Sequence, residues 1–289
     1  MIRRKTILCG MGVKPKYLEA DVYYYMNVPH TKRSKRKRVT VPKQEKLNYK
    51  NAIRHLNQLL KTNFTDDDYR LDLTYSDDNM PATLEDAIRM VSNYLKKVKR
   101  RRVKEGLPPL KYIWVDEMGK SGRIHHHLII SGGIDRSEME AMWTLRKKKG
   151  ETHAKSIGYC NCEKLKFDDK GIEGLVLYIT KETFKNLRDE TEGQVSLDEW
   201  LSDKEAQERE KGKKRWKQSQ NLIKPRERVR ENAYSRRKVQ KLVELPNDCE
   251  EVKKFWEKEY QGYALDECRK EYNQVTGMWS IYVMMHRRD

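Results

Sequence analysis

Residues 116–130 constrain the fold of this chain more than any other stretch. An apolar run at 112–115 and apolar residues at 128–130 enclose a Gly-Lys-Ser-Gly connector at 119–122. Two β-forming runs joined by a short glycine-containing turn are typical of a β-hairpin. We therefore expect this hairpin to form part of an antiparallel sheet.

Three consecutive histidines lie on the second strand of this hairpin. Side chains alternate between the faces of a strand, so His125 and His127 share one face and His126 takes the other. Two imidazoles and one carboxylate from the partner strand can bind a divalent metal. An even-length connector would pair Asp116 with His125, and an odd one would pair Glu117 with it. The alternative is a histidine-rich strand with His126 in the core and its neighbours in solvent.

The charge balance indicates the class of partner. The chain has 289 residues, with 62 Lys and Arg against 44 Asp and Glu, a net charge of +18. Such an excess suits a protein that binds a polyanion, because each cation placed against a phosphate releases a counterion. A protein of the ribosome or membrane surface could show the same balance, so charge alone does not give the activity.

Several features favour a cytoplasmic protein. No run of 18 or more apolar residues predicts a membrane span, and the apolar stretch at the N-terminus is too short for a secretion signal. Five cysteines without framework spacing suit a reducing compartment. Cys160 and Cys162 near His153 are a weak zinc signal, and we interpret them as ordinary thiols.

The alternation of elements predicts an α+β fold, an antiparallel β-sheet with helices packed on one face and the site on the other face or at an edge. Strands are expected at 17–27, 69–75, 151–167 and 279–285, and helices at 43–61, 83–98, 135–143, 172–189, 190–210 and 249–273. The expected divisions are a basic N-terminal strand and arm at 1–45, a core at 46–190, and a charged C-terminal region at 191–289 that partly completes the core.

A second chemical group follows the hairpin, in residues 174–184. On a helix, Tyr178 and Lys181 are three positions apart and share a face. A phenol with a pKa of about 10 is a poor nucleophile at neutral pH, but a nearby ammonium favours the phenolate. With a metal that polarises a phosphodiester, Tyr178 could attack DNA phosphorus and hold the strand covalently. The alternative is a surface lysine beside a packing tyrosine.

Three segments together resemble the motifs of HUH endonucleases. They are L-D-L-T-Y at 71–75, E-M-G-K-S-G-R-I-H-H-H-L-I-I at 117–130 and L-Y-I-T-K at 177–181. More narrowly, the chain resembles bacterial replication initiators related to phage gene-II replication proteins. The segment 214–225 is similar to a downstream motif of that family, so the resemblance spans residues 47–225.

The resemblance implies a fold and a set of site residues. The fold would be an RRM-like HUH endonuclease core with a basic C-terminal extension. His125 and His127 would be the metal-binding pair, and Glu117, rather than Asp116, the third ligand. Tyr178 would be the nucleophile and Lys181 its partner.

The chain departs from the family pattern at two positions. His126 occupies a slot that is usually apolar or aromatic, so it could compete for the metal. Phe184 lies where phage relatives often carry a second tyrosine, which implies a single-tyrosine enzyme.

The expected function is metal-dependent, site-specific nicking and rejoining of single-stranded origin DNA, which initiates rolling-circle replication with Mn²⁺ or Mg²⁺. No P-loop motif is present, so no nucleotide cofactor is expected, and a host helicase and DNA polymerase would be partners. Alternatives are a relaxase or transposase with the same chemistry, or a non-catalytic nucleic-acid-binding regulator. Predicted DNA-binding residues are Arg123, Lys32, Arg33, Lys35, Arg36, Lys37, Arg38, Lys213, Lys214, Arg215 and Lys217.

Overall fold

The computed structural model describes residues 1–25, 42–118, 123–180, 216–273 and 277–288. Within these ranges the strands are β1 (Ile2–Cys9), β2 (Tyr17–Tyr24), β3 (Tyr69–Leu73), β4 (Tyr112–Met118), β5 (Ile124–Ile130), β6 (Cys160–Lys164), β7 (Lys217–Gln218), β8 (Arg226–Glu231), β9 (Tyr263–Asn273) and β10 (Met278–Arg287). The helices are α1 (Pro42–Asn63), α2 (Leu84–Lys104), α3 (Arg136–Ala141), α4 (Glu173–Ile179), α5 (Arg236–Glu244) and α6 (Glu250–Glu259). The expected α+β class is confirmed.

The first sheet joins the two ends of the described chain. Its strand order is β8-β1-β2-β10-β9, and every neighbouring pair is antiparallel. Helices α5 and α6 pack on one face, where Trp256 and Val252 are buried against Leu18, Val22 and Val283. The N-terminal strands and the C-terminal region thus form one sheet. The division of the chain into three regions, at 1–45, 46–190 and 191–289, remains a prediction.

The second sheet contains the histidine hairpin. Its order is β6-β3-β5-β4-β7, again antiparallel throughout. Tyr94 and Val98 of α2 and Met139 of α3 are buried on one face, while Leu56 of α1 and Val176 of α4 are buried on the other. The expectation of helices on one face only was therefore wrong, because both faces of this sheet are apolar enough to need cover.

Helix α1 lies between the two sheets and contacts both. Its apolar side, with Leu56, packs into the core of the second sheet. On its other side, Arg54 donates to both Glu19 and Asp21 of β2, and Gln58 donates to Glu19. Burial alone would raise the pKa of Glu19, but Arg54 and Lys61 outweigh it and lower that pKa.

Helix α2 forms as its sequence predicts. Thr83 is its N-cap and accepts a hydrogen bond from the backbone of Asp86, which satisfies one of the free amides of the first turn. Its buried side includes Val91, Tyr94 and Val98, from the expected apolar stripe. Cations such as Arg101 occupy the last turn, where the helix dipole favours them.

Two expected elements differ in the structure. Only Cys160–Lys164 of the expected strand 151–167 is extended. The expected helix 249–273 ends at Glu259, and the chain turns at Gly262, with a φ of 86°, into strand β9. Strand β9 is an edge strand with mostly half-exposed side chains, so its sequence lacks the alternation that marks a strand.

Other expectations fall partly or wholly outside the described ranges. They are the basic arm at 32–38, the helix at 190–210 and the part of the helix 172–189 beyond residue 180. Among the residues that are described, no helix is long and apolar enough to cross a bilayer.

Candidate functional site

The hairpin has the register that pairs Glu117 with His125. Asp116 is opposite His126, and Val115 is opposite His127. Paired residues of an antiparallel ladder share a face, so Glu117, His125 and His127 lie on the α4 side of the sheet. The expectation that His126 would face away from its two neighbours is confirmed, since His126 is buried and bonded to the hydroxyl of Tyr75, a residue of the core on the α2 side.

The side chain of His127 is held between two carboxylates. Its Nε2 lies 2.5 Å from Glu117 Oε2, and its Nδ1 lies 2.5 Å from Asp72 Oδ1 on β3. Both His127 and Glu117 are buried. Both ring nitrogens of His127 are therefore within hydrogen-bond distance of a carboxylate oxygen. Two imidazoles and one carboxylate are donor types that fit a divalent cation. The structure brings Glu117 and His127 together, but the ligand atoms of Glu117, His125 and His127 do not all lie within 4.8 Å of one another.

His125 is the third member of the predicted metal site. The ladder places it directly across from Glu117 at the end of the hairpin, where its side chain is half-buried. Side chains directly opposite in an antiparallel pair are the closest neighbours on a face. The metal-binding role of Glu117, His125 and His127 remains a prediction.

Helix α4 holds Tyr178 next to His127. Val176 and Ile179 are buried in the core under the helix, whereas Tyr178 is 42% exposed. The ring of Tyr178 lies edge-on to the imidazole of His127, with centroids 5.5 Å apart. Successive residues of a helix point about 100° apart, so burying Val176 and Ile179 turns Tyr178 to the rim of the site.

Arg70 and Asp72 are site residues that the sequence analysis missed. Arg70 Cζ lies 4.5 Å from the centroid of the Tyr178 ring, and the guanidinium forms an ion pair with Asp72. Burial alone would raise the pKa of Asp72, but hydrogen bonds from His127 and Arg70 outweigh it and lower that pKa. The sequence signal for these two residues is the alternation of apolar and polar side chains in Tyr69–Leu73. This alternation places Arg70 and Asp72 on the same face of the strand.

His126 is a core residue and does not reach the metal face. It is 0% exposed and its Nε2 lies 2.7 Å from the Tyr75 hydroxyl, while Nδ1 lies 2.7 Å from Asp116 Oδ1. Burial lowers the pKa of His126, despite the opposing effect of Asp116. The possibility that His126 or Asp116 competes for the metal therefore has no support in this geometry.

Two of the predicted DNA-binding residues are described, and each contacts an acid. Arg123 lies just before β5, with an ion pair to Asp77 and a hydrogen bond to the carbonyl oxygen of Tyr75. Lys217 is ion-paired with Asp116 and lies over the Trp114 ring, on the face opposite Tyr178. Lys181, the arm residues Lys32, Arg33, Lys35, Arg36, Lys37 and Arg38, and the cluster Lys213, Lys214 and Arg215 lie outside the described residues.

The thiols of β6 have the character of ordinary cysteines. Cys160 and Cys162 are both buried, and neither forms a disulfide. Burial is the main cause that raises the pKa of Cys162 to about 12. A thiol held protonated in this way is a poor zinc ligand, because zinc binds the thiolate.

The fold and these side chains define a class of protein: an α+β protein with a histidine–carboxylate pair on a sheet and a tyrosine-bearing helix above it. Residues 68–183 match the family model for replication-associated proteins of the ORF2 and gene-II protein type. The resemblance to gene-II replication proteins is confirmed. The family points to a role in DNA replication and to interaction with DNA. No curated protein and no solved structure matched the chain.

Proposed function

We propose that this protein initiates rolling-circle replication by nicking and rejoining single-stranded origin DNA at a specific site. The cleaved strand is held as a 5′-phosphotyrosine on Tyr178. Glu117, His125 and His127 hold a divalent cation, Mn²⁺ or Mg²⁺. The observation that carries the proposal is the 5.5 Å separation of the Tyr178 and His127 rings, within the segment that matches a replication-protein family.

A divalent cation held by Glu117, His125 and His127 would supply Lewis acidity at the scissile phosphate. Tyr178 Oη forms a bond to phosphorus, and the bond from phosphorus to the 3′ oxygen breaks. The phenolic proton leaves through solvent at the exposed rim, and the released 3′ oxygen takes up a proton. Reversal by an incoming 3′ hydroxyl regenerates the phenol and joins the strand, so no external energy source is consumed.

The surrounding residues orient these groups. Asp72, 2.5 Å from His127 Nδ1, would accept a hydrogen bond from Nδ1–H and leave Nε2 to bind the cation. Arg70, beside both Asp72 and the Tyr178 ring, supplies a fixed positive charge where phosphate oxygens would lie. Lys181 would add a second cation on the same helix face. In DNA recognition, Arg123 and Lys217 would act with the basic segments 32–38 and 213–215.

The proposal is tested by adduct formation on a denaturing gel. Labelled single-stranded oligonucleotides that tile the DNA flanking the gene are incubated with protein and Mn²⁺. One of them should yield a protein-linked band that Tyr178→Phe abolishes. Tyr272→Phe is the matched control, because Tyr272 is also exposed but lies on β9 at the far edge of the first sheet. An adduct that persists in Tyr178→Phe would remove Tyr178 as the nucleophile.

The same assay separates the enzyme from a regulator that only binds. A binding protein shifts the oligonucleotide on a native gel but gives no covalent band with any metal. A relaxase or transposase would give the band, and would be told apart by a nick that maps away from a replication origin. After nicking, extension of the free 3′ end by a host polymerase with a host helicase would support the replication role.

A further inference from the structure

A second group of metal-ligating side chains lies outside the site described above. Asp169, Asp266 and His286 each offer one ligand atom, and these atoms all lie within 4.8 Å of one another. They come from three separate parts of the chain: the turn before α4, strand β9 and strand β10. The sequence gives no motif for this group, because the residues meet only in the folded chain.

The carboxylate of Asp266 is incompletely satisfied. Its Oδ1 lies 2.5 Å from His286 Nδ1, but its Oδ2 is buried without a hydrogen-bond partner. Only 7% of the Asp266 side chain is exposed. A buried carboxylate oxygen that lacks a donor carries a large desolvation penalty, which a bound cation would relieve.

A β-bulge turns Asp266 into this position. Met284 pairs with Glu267 and Met285 with Leu265, so Asp266 is the extra residue of β9. A bulge of this kind redirects one side chain out of the regular ladder. Burial and the nearby charge of Asp169 raise the pKa of Asp266, against the opposing effects of His286 and Lys61. The ammonium of Lys61 lies 3.6 Å from Glu19, so its charge is shared with another carboxylate.

We propose that Asp169, Asp266 and His286 form a second metal site, which binds a divalent first-row transition ion such as Mn²⁺. Such an ion prefers a site with one imidazole and two carboxylates to a site with oxygen ligands only. Ligand atoms at roughly 2.1 Å from one ion lie at most roughly 4.2 Å apart, so binding needs only a small inward movement of the exposed Asp169. His286 would bind the ion through the Nδ1 lone pair of a neutral imidazole with its proton on Nε2, and the proton between Nδ1 and Asp266 Oδ1 would pass to solvent.

The consequence of this site is the anchoring of helix α4. Asp169 lies in the turn closed by two backbone hydrogen bonds between Asp168 and Gly171, and Ile172 then caps α4. The Tyr17 hydroxyl already donates to the carbonyl oxygen of Asp168, which ties this turn to β2. A cation on β9, β10 and the turn would fix the start of the helix that carries Tyr178 to the first sheet.

The test counts bound Mn²⁺ by equilibrium dialysis and electron paramagnetic resonance. The background variant carries Glu117→Gln, His125→Ala and His127→Ala, which empties the other proposed site. We expect this variant to retain about one equivalent of Mn²⁺ and to unfold at a higher temperature when Mn²⁺ is added. Adding Asp169→Asn should remove both effects. Adding Glu267→Gln, a neighbouring acid on the same strand, should leave both unchanged.

The outcomes separate this site from the nicking site. If Asp169→Asn binds as much Mn²⁺ as its background, or if the background binds none, the second site is refuted. Asp169→Asn is the chosen variant because Asp169 is exposed, and circular dichroism verifies that the variant is folded. If the background variant binds as much Mn²⁺ as the wild type, Glu117, His125 and His127 do not hold Mn²⁺. The second site is then still tested by whether adding Asp169→Asn removes the bound Mn²⁺.

Discussion

The imidazole of His127 lies edge-on to the ring of Tyr178, with ring centroids 5.5 Å apart and an interplanar angle of 71°. These residues come from different elements, a central strand and a short helix, and lie 51 positions apart in the sequence. The contact sets a predicted metal ligand beside a predicted nucleophile.

Asp72 is expected to act through His127. Asp72→Ala removes the acceptor that holds Nδ1–H, so we expect the affinity for Mn²⁺ in nicking to fall by about 10–100-fold. Asp72→Asn keeps an acceptor oxygen and should retain most of the activity. The measurement is the nicking rate as a function of Mn²⁺ concentration. Equal loss in both variants, with no change in the Mn²⁺ requirement, would contradict this role.

Arg70 is expected to act on the phosphate rather than on the metal. Arg70→Ala should slow adduct formation by about 100-fold, the loss typical when one fixed charge donor is removed. The Mn²⁺ concentration for half-maximal rate should change far less than in Asp72→Ala. Single-turnover kinetics measure both quantities. Arg70→Lys is the informative control, because it retains charge but loses the planar guanidinium over the Tyr178 ring.

His125 and His126 are adjacent, and substitution should separate their roles. His126→Ala removes one hydrogen-bond partner of the Tyr75 hydroxyl and one of Asp116 and leaves a cavity in the core, so we expect a loss of roughly 2–4 kcal/mol in the free energy of unfolding. His125→Ala should change that free energy by less than about 0.5 kcal/mol, since His125 is half-buried at the hairpin end. Urea denaturation gives both values. Loss of Mn²⁺ binding in a well-folded His126→Phe variant would contradict the core assignment.

Glu19 makes the stability depend on pH in the acid range. Its folded-state pKa is lowered, so its contribution is fully present above the unfolded pKa of about 4.3. The contribution is then lost as the pH falls through the lower folded value. Glu19→Gln leaves Arg54 and Lys61 without their buried partner and should cost about 3–5 kcal/mol at neutral pH.

The check on Glu19 is urea denaturation between about pH 3 and pH 7. The wild type should lose stability below about pH 4.3, and Glu19→Gln should show a shallower slope there. Asp67→Asn is the control, because Asp67 is an exposed acid. A slope in Glu19→Gln as steep as in the wild type would show that other carboxylates set the acid limit.

Local patterns predicted much of the fold and the main candidates for the site. The hairpin, its two-faced histidine strand and the capped helix α2 follow from alternation, periodicity and a capping residue. The register needed the resemblance to relatives, since the connector alone allowed either Asp116 or Glu117. Side chains that depend on contacts between distant strands were not predictable in this way. Asp72 joins His127 only because β3 pairs with β5.

The pairing of the chain ends was also beyond the sequence. Strand β9 carries few of the alternating apolar residues that mark a strand, because it lies at an edge and its side chains are half-exposed. The bulge at Asp266 exists only in relation to β10. Both features are set by long-range backbone pairing rather than by local preference.

The central claim is that Tyr178 forms the covalent bond to DNA. Its most direct test is mass spectrometry of the protease-digested adduct. We predict one modified peptide, with a 5′-linked nucleotide on the phenol oxygen of Tyr178, formed only when Mn²⁺ or Mg²⁺ is present. A nucleotide found on any other residue, or a nicked product that carries no protein at all, would contradict the account.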